Sequence, residues 1–178
     1  MKDPLELENR RRIHQEVTLN PGLHYRELQR RLGMVPGLLD YHLAYLEERE
    51  LIVSRREDNY TRYYPSNRIR ESQKAALNVL RQDIPRAVVI YLLMNPGATH
   101  KDILATLDVT GATLSYHMKK LVKAGVVEAV KEGRTTRNRV LDEDGVAELL
   151  ITYKKSFVDN LVDSFAAFWA GRTSKEQR

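Results

Sequence analysis

The 178-residue sequence contains no cysteine, which excludes disulfide bonds, cysteine-ligated zinc and thiol catalysis. Apolar residues never run uninterrupted over the roughly 20 positions that a membrane-spanning helix requires. The N-terminal sequence MKDPLELENRRR lacks the apolar stretch of a secretory signal. These absences predict a cytoplasmic protein without a membrane partner.

Chemical motifs are missing as well. The sequence has no nucleophile–base arrangement, no phosphate-binding loop and no metal motif. The carboxylates of Asp142, Glu143 and Asp144 stand where a helix is expected to begin, and capping explains them better than catalysis. We therefore expect neither an enzyme nor a bound cofactor.

What the sequence does contain is an excess of positive charge. Lys and Arg number 29 against 24 Asp and Glu, which gives a net charge of +5. This balance suits a polyanionic partner, because Lys and Arg displace the counterions condensed on phosphates. An ordinary basic protein has the same balance, so charge alone leaves a nucleic-acid partner undecided.

A repeat with an offset of 75 residues runs through the chain without a gap. The run Asn20-Pro21-Gly22 recurs as Asn95-Pro96-Gly97, and Tyr41-His42 recurs as Tyr116-His117. In all, 11 of the 46 positions from 20 to 65 are identical to their counterparts. Chance similarity rarely keeps its register over such a length, so we interpret the two segments as copies of one structural unit.

Each copy has the pattern of three helices and a hairpin. In the second copy, Asp83 is expected to cap a helix that ends before Pro96, and Thr99 and Asp102 form a capping box at the start of the next helix, which runs to about Leu107. A third helix is expected over 111–124, with strands over 126–130 and 136–141. The corresponding elements of the first copy are helices over 3–19, 24–32 and 37–49 and strands near 51–56 and 60–64.

Three helices followed by a β-hairpin are typical of a winged helix, in which the third helix protrudes. We therefore predict a mostly α fold with small β-hairpin wings, made of two tandem winged helix-turn-helix domains plus C-terminal helices. The expected parts are a first domain over 1–67, a connecting helix over 68–83, a second domain over 84–141, a C-terminal helical segment over 142–171 and a disordered tail over 172–178.

The third helix of the second copy has the distribution of a DNA-reading helix. One side carries Leu114, Met118 and Leu121 and is expected to be buried. The opposite side is small and polar at its N-terminal end, which suits close approach to base edges, and cationic further along, which suits phosphates. A solvated helix with ordinary surface lysines is the alternative. The candidate DNA-binding residues of this copy are Thr110, Ala112, Thr113, Ser115, Tyr116, Lys119, Lys120 and Lys123 in the helix and Lys131, Arg134, Arg137 and Arg139 in the wing.

The first copy is less suited to DNA. Residues 26–64 contain seven Lys or Arg and seven Asp or Glu, whereas residues 101–139 contain eight against four. Asp40 occupies the position of Ser115, and phosphates repel a carboxylate unless it reads a cytosine amino group. We expect the second copy to be the main reader, and the first to bind DNA weakly or to contact protein. The candidate DNA-binding residues of the first copy are Arg30, Arg31, Tyr41, Arg55, Arg56 and Arg62.

The run from Ala112 to Leu121, with Ala124-Gly125-Val126-Val127 after it, resembles the recognition helix and strand entry of the ArsR-type winged-helix regulators. The tandem plan resembles regulators that are common in archaea. This resemblance covers roughly 10–65 and 84–141, and it is more specific in the second copy. It implies sequence-specific operator binding, usually as a dimer.

The same resemblance implies roles for single residues. Ser115 and Tyr116 fall where such regulators contact bases, and Lys119, Arg134 and Arg137 fall near the DNA backbone. The metal-sensing members use cysteines, so the absence of cysteine argues against metal sensing here.

Two histidines and three tyrosines each allow more than one functional interpretation. His42 and His117 recur at equivalent positions, but no cysteine or carboxylate stands at ligand spacing, so we expect a local hydrogen bond or a DNA contact and no metal. Tyr60, Tyr63 and Tyr64 in the first wing could stack on bases, although cross-strand pairing is the commoner role.

A stripe of large apolar side chains marks the C-terminal segment. Two small winged helices offer limited surface to cover it, so we expect it to join two chains into a homodimer. A two-fold dimer would match a palindromic operator. The candidate dimerisation residues are Phe157, Leu161, Phe165, Phe168 and Trp169.

The sequence thus predicts a transcription regulator that binds double-stranded DNA as a homodimer in the cytoplasm, associated with the nucleoid. The alternatives are a tandem winged-helix adaptor that binds protein without specific DNA binding, and a protein that coats DNA without sequence preference. A small-molecule effector stays unknown, because the two copies, the connector and the C-terminal helix leave no separate ligand domain.

Overall fold

The computed structural model describes residue 5 and residues 7–157 and 159–176, with side chains as far as residue 173. The chain forms two compact units that divide between Lys74 and Ala75. Helices predominate in both, and each unit has one small three-stranded antiparallel sheet. The predicted fold class is confirmed.

The first unit follows the winged-helix order from helix to hairpin. Its three strands pair in the order β1-β3-β2, so that the hairpin is anchored to the short strand before the second helix. The described elements are α1 (Glu8–Leu19), β1 (Leu23–His24), α2 (Tyr25–Leu32), α3 (Pro36–Glu48), β2 (Ile52–Glu57) and β3 (Tyr60–Pro65), after which α4 (Glu71–Leu80) leads across the boundary.

The second unit repeats this order and adds three helices. Its strands pair as β4-β6-β5. The described elements are α5 (Asp83–Met94), β4 (Ala98–Thr99), α6 (His100–Thr106), α7 (Gly111–Lys123), β5 (Val127–Glu132), β6 (Thr135–Val140), α8 (Glu143–Thr152), α9 (Lys154–Phe157) and α10 (Asn160–Glu176).

The cores form where the sequence pattern predicts them. In the first unit Ile13, Val17, Leu28, Leu39 and Leu46 are fully buried and pack together. In the second unit the predicted inner face of α7 is buried, because Leu114 and Leu121 are fully covered and Met118 retains 8% of its exposure. The third helix of each unit is therefore held by one apolar face, and its other face points to solvent.

Two local expectations are confirmed and one is wrong. Thr99 and Asp102 form the predicted capping box, and Asp142 caps α8. Asp83 lies inside the first turn of α5 instead of capping it, because the cap position belongs to Gln82. The two-residue strands β1 and β4 were not predicted, since a pair of residues is too short to show alternation.

The chain ends also differ from expectation. Helix α1 begins at Glu8 and not at residue 3; residues 1–4 lie outside the described part. Helix α10 continues to Glu176, so the expected disorder over 172–178 is wrong for 172–176, and residues 177–178 lie outside the described residues. Helix α10 packs against α5, α8 and α9 of its own unit.

Candidate nucleic-acid interface

Helix α7 is positioned by a cap at its first turn and an apolar inner face. Thr110 is the N-cap, and its side chain accepts a hydrogen bond from the backbone N–H of Thr113. The hydroxyls of these two threonines lie 2.8 Å apart. Because the cap fixes where the helix begins, it also fixes which residues of α7 face outward.

The outward face of α7 matches the sequence prediction. Ala112, Ser115, Tyr116, Lys119 and Lys123 are exposed, and Tyr116 retains 59% of its exposure. The N-terminal half of this face carries a methyl, a hydroxyl and a phenol, and the C-terminal half carries two ammonium groups. Short polar groups followed by cations can enter a groove and then meet phosphates.

Ser115 has a defined hydrogen-bonding role. Its hydroxyl donates to the carbonyl of Gly111 at 2.8 Å, and Nε2 of His100 lies 3.2 Å from the same oxygen. Which of the two donates in the second contact depends on the tautomer of the His100 ring. The Ser115 hydroxyl is exposed and can accept a hydrogen bond from an external partner.

Four cations of this surface have no acidic partner among the described residues. They are Lys119 and Lys123 on α7 and Lys131 and Arg134 on the wing, and all four are exposed. We call these four residues the free cations. Because no carboxylate neutralises them, their charges are available to an external anion.

Three other predicted cations of the second unit already have partners. Arg137 donates to a Glu132 carboxylate at 2.9 Å and to the carbonyl of Gly97 at 3.1 Å, and Arg139 is paired with Glu128. Lys120 is half-buried and donates to Oε1 of Gln82 at 3.1 Å. Lys120 stays a predicted DNA contact, because its ammonium group also lies 5.7 Å from the centre of the exposed Tyr116 ring.

The prediction for Arg62 is wrong. This arginine retains 6% of its exposure, and its guanidinium donates to the carbonyl of Gly22 at 2.7 Å. The repeat explains why it is an arginine, because Arg62 and Gly22 correspond to Arg137 and Gly97 in the second unit. In both units the arginine ties the wing to the turn that follows the first helix, so this part of the repeat is structural.

The remaining predicted cations of the first unit are mostly neutralised within it. Glu27 pairs with Arg30 at 2.7 Å and with Arg31 at 2.9 Å. Arg55 pairs with Glu71 at 2.8 Å. Arg56 is exposed. The pairing leaves the first unit with less charge to offer a polyanion than its arginine count suggests.

The outer face of α3 is apolar where that of α7 is polar. Val35, Leu38 and Tyr41 retain 66%, 38% and 61% of their exposure. The equivalent positions of the second unit carry Thr110, Thr113 and Tyr116. The phenol of Tyr41 is therefore exposed as predicted, but it stands among aliphatic side chains.

The two equivalent histidines pack within their own units. His42 is buried, His117 is half-buried, and Nδ1 of each has no hydrogen-bond partner among the described residues. Burial lowers the pKa of both rings. The described residues contain no group of three or more His, Asp or Glu side chains that could hold a metal ion. The expected local hydrogen bond is not found at Nδ1.

The tyrosines of the first wing divide between core and surface. Tyr63 and Tyr64 are buried, and the Tyr64 hydroxyl donates to a Glu57 carboxylate at 3.1 Å. Burial raises the pKa of Tyr63 to about 12. Tyr60 is exposed and stacks on His24 at a ring distance of 4.9 Å. Because their rings are buried, Tyr63 and Tyr64 are not available to stack on bases.

The C-terminal stripe is divided in the same way. Phe157, Phe165 and Trp169 are buried within the second unit, which corrects their assignment to a dimer contact. Leu161 and Phe168 retain 48% and 42% of their exposure. Exposed Leu161 and Phe168 and buried Phe165 and Trp169 lie on the same helix α10, and spacing alone does not show which side of that helix faces the unit.

A cleft of about 500 Å³ lies between α7 and the wing of the second unit. Met118, Val122 and Ala129 contribute apolar surface, and His100 and Asn138 also line it. Neither His100 nor Asn138 was predicted as a site residue. The signal that could have found them is the repeat, since the first unit has tyrosines at both positions.

The described helices are all too short or too polar to cross a membrane.

Comparison with known proteins gives matches in both units. A family model described as an N-terminal HTH domain matches residues 7–77, and a second model described as a helix-turn-helix domain matches residues 83–130. An HTH-type transcriptional regulator of Methanocaldococcus jannaschii is 32% identical over 126 residues, which cover 71% of this chain and 32% of the relative. The chain thus matches about a third of the length of that archaeal relative.

Among solved structures, the chain resembles a protein from Corynebacterium diphtheriae with a TM-score of 0.31 and 16% identity. The match covers 75% of this chain and 26% of the other. At this level the likeness carries no argument about function.

Proposed function

We propose, from the premise that this chain belongs to the tandem helix-turn-helix regulators of the ArsR-like type, that it regulates transcription by binding duplex DNA chiefly through its second unit. Helix α7 enters the major groove, with Ser115 and Tyr116 at base edges. The wing lies along the backbone. The same elements in the first unit contribute little to DNA affinity.

The observation that carries this proposal is the unequal neutralisation of charge in the two units. The free cations Lys119, Lys123, Lys131 and Arg134 surround the polar face of α7 without an acidic partner among the described residues. In the first unit Arg30, Arg31 and Arg55 are paired with carboxylates. Binding of phosphates requires charge that the protein itself has not neutralised.

The resemblance to operator-binding regulators also favours a homodimer, and α10 offers a surface for it. Leu161 and Phe168 are exposed one heptad apart on the same helix. Ser164 and Gly171 lie on the same stripe and are also exposed. Two such stripes can pack in antiparallel fashion around a two-fold axis, which suits a palindromic operator.

The test places carboxylates at matching positions of the two units, which changes the net charge by −4 in the second unit and by −2 in the first. Lys119→Glu with Arg134→Glu reverses two free cations of the second unit, and Ala44→Glu with Asn59→Glu places carboxylates at the matching positions of the first. Affinity for a mixed-sequence duplex at low salt is measured by fluorescence anisotropy. We expect a loss on the order of 100-fold for the first pair and a change within about threefold for the second. Equal losses contradict the proposed division of labour.

A second function is favoured for the first unit by the apolar outer face of α3. Val35, Leu38 and Tyr41 form an exposed aliphatic and aromatic surface beside the carboxylate of Asp40. Such a surface is better suited to a protein than to phosphates. If the chain is an adaptor and not a regulator, the Lys119→Glu and Arg134→Glu pair leaves its partner binding intact, and no duplex binding is measurable at about 0.15 M salt.

A further inference from the structure

The cleft between α7 and the wing of the second unit has a lining that phosphate binding does not explain. Its volume of about 500 Å³ is within the range of small-molecule sites. Met118, Val122 and Ala129 supply carbon surface, and the free cations Lys119 and Lys123 line the same space. Val122 retains 45% of its exposure, so an aliphatic side chain is left uncovered here.

The first unit shows how the same fold closes this space. Tyr25 and Tyr63 stand at the positions of His100 and Asn138. Tyr63 retains 7% of its exposure and belongs to the hydrophobic core of the first unit, and Tyr25 packs against that core. Two phenol rings are thus placed where the second unit has an imidazole and a short amide.

The charges at the cleft are also reversed between the units. Val122 and Lys123 correspond to Glu47 and Glu48, and Lys119 corresponds to Ala44. The second unit therefore combines an apolar cleft with two unpaired ammonium groups, whereas the first unit has two tyrosine rings and two glutamates at the corresponding positions. This combination fits a ligand with an apolar body and an anionic head.

We propose that this cleft binds an amphipathic carboxylate, with the carboxylate on Lys119 and Lys123 and an alkyl chain on Met118, Val122 and Ala129. The same two lysines are assigned above to DNA phosphates. The ligand therefore competes directly with duplex DNA and acts as an effector without a separate ligand domain. This competition rests on the proposed function, whereas the binding of the ligand itself does not.

The first experiment measures ligand binding without DNA, by titration calorimetry with dodecanoate and decanoate below their micelle concentrations. If the alkyl chain of the ligand packs on the apolar side chains of the cleft, removing two methylenes from it weakens binding about tenfold. Dodecyltrimethylammonium, which has the same chain and the opposite charge, is expected not to bind at this site. Equal affinities for the two carboxylates, or equal affinity for the cation, overturn the proposal.

Two variants test whether dodecanoate binds in this cleft. Val122→Glu places a carboxylate in the cleft, at the position that corresponds to Glu47 of the first unit, and is expected to weaken dodecanoate binding at least about tenfold. Val130→Glu is the matched control, because Val130 is an exposed valine of the same wing and does not line the cleft. Circular dichroism verifies that both variants are folded. Full binding by Val122→Glu, or equal weakening by both, overturns the assignment.

The second experiment adds duplex DNA. Dodecanoate is expected to release the duplex, and decanoate to do so at about tenfold higher concentration. Chain-length-dependent binding by a protein that binds no duplex would support the cleft and contradict the DNA-binding function. A protein that binds duplex but not dodecanoate would support the function and overturn the cleft.

Discussion

At the scale of single residues, the positions shared by the two copies divide into structural and functional sets. Arg62 and Arg137 both donate to a glycine carbonyl of the preceding turn, so their identity follows from the fold. Arginine is rarely buried, and the sequence alone gives no sign that Arg62 is. Only the packing of the wing onto the turn reveals its role.

Arg62→Ala is expected to destabilise the first unit by about 2 kcal/mol, because it leaves the buried carbonyl of Gly22 without its charged donor. Arg137→Ala is expected to cost the second unit less, since Arg137 is half exposed and water can replace it. Hydrogen exchange under increasing urea measures the two units separately. An equal loss in both would contradict a structural role that depends on burial.

The carboxylate of Glu27 predicts a pH effect in the first unit. Its hydrogen bond with Arg30, supported by Arg31, lowers the pKa of Glu27 to about 2. A lowered pKa stabilises the folded state above the unfolded value near 4.5, and this contribution is lost as the pH falls toward 2.

Glu27→Gln is therefore expected to reduce protection of α1 and α2 by about 1 kcal/mol near pH 6, and progressively less below about pH 4.5. Hydrogen exchange of these two helices provides the measurement. A difference from the unsubstituted chain that stays constant between about pH 5 and pH 3 would show that the ion pairs do not stabilise this unit.

At the scale of elements, periodicity and the repeat were sufficient for the main helices and the hairpins. The capping pair Thr99 and Asp102 located the start of α6, and Gly125 marked the end of α7 with a positive φ of 69°. No comparable sequence signal marks the interruption of the helix between α9 and α10. Asp159, at this break, pairs with the buried Arg86 at 2.8 Å, a contact between residues far apart in sequence.

The candidate site was predicted in part. The outward face of α7 follows from helical spacing, and its exposure agrees with the prediction. Which cations are already paired does not follow from spacing, because Lys120 depends on Gln82 and Arg139 on Glu128 across the strands. The apolar cleft depends on side chains from α6, α7 and both strands of the wing, and no local pattern combines them.

The lysines of α7 are expected to contribute unequally to the salt dependence of DNA affinity. Replacing Lys119 with Gln removes one free cation, so the slope of log affinity against log salt is expected to fall by about 1 for duplex DNA. Replacing Lys120 with Gln is expected to change the slope less, because that ammonium group is held by Gln82. Anisotropy titrations at several salt concentrations measure both slopes, and identical slopes for the two variants would contradict the assignment.

At the scale of the whole molecule, self-association is expected to depend on the exposed stripe of α10. Leu161→Glu with Phe168→Glu is predicted to convert the proposed dimer to a monomer of 20.6 kDa in sedimentation equilibrium. Leu19→Glu is the control, because Leu19 is also an exposed leucine, at 57%, but lies on α1. A dimer that survives the α10 changes, or dissociates with the control, would remove α10 from the interface.

We propose that the second unit reads DNA sequence and that the first unit does not. Selection of bound sequences from a random duplex library distinguishes the two units. The unsubstituted protein and the Ala44→Glu, Asn59→Glu variant are predicted to enrich the same palindromic motif, and the Lys119→Glu, Arg134→Glu variant to enrich none. An unenriched pool from the unsubstituted protein, or a motif that survives the changes in the second unit, would contradict it.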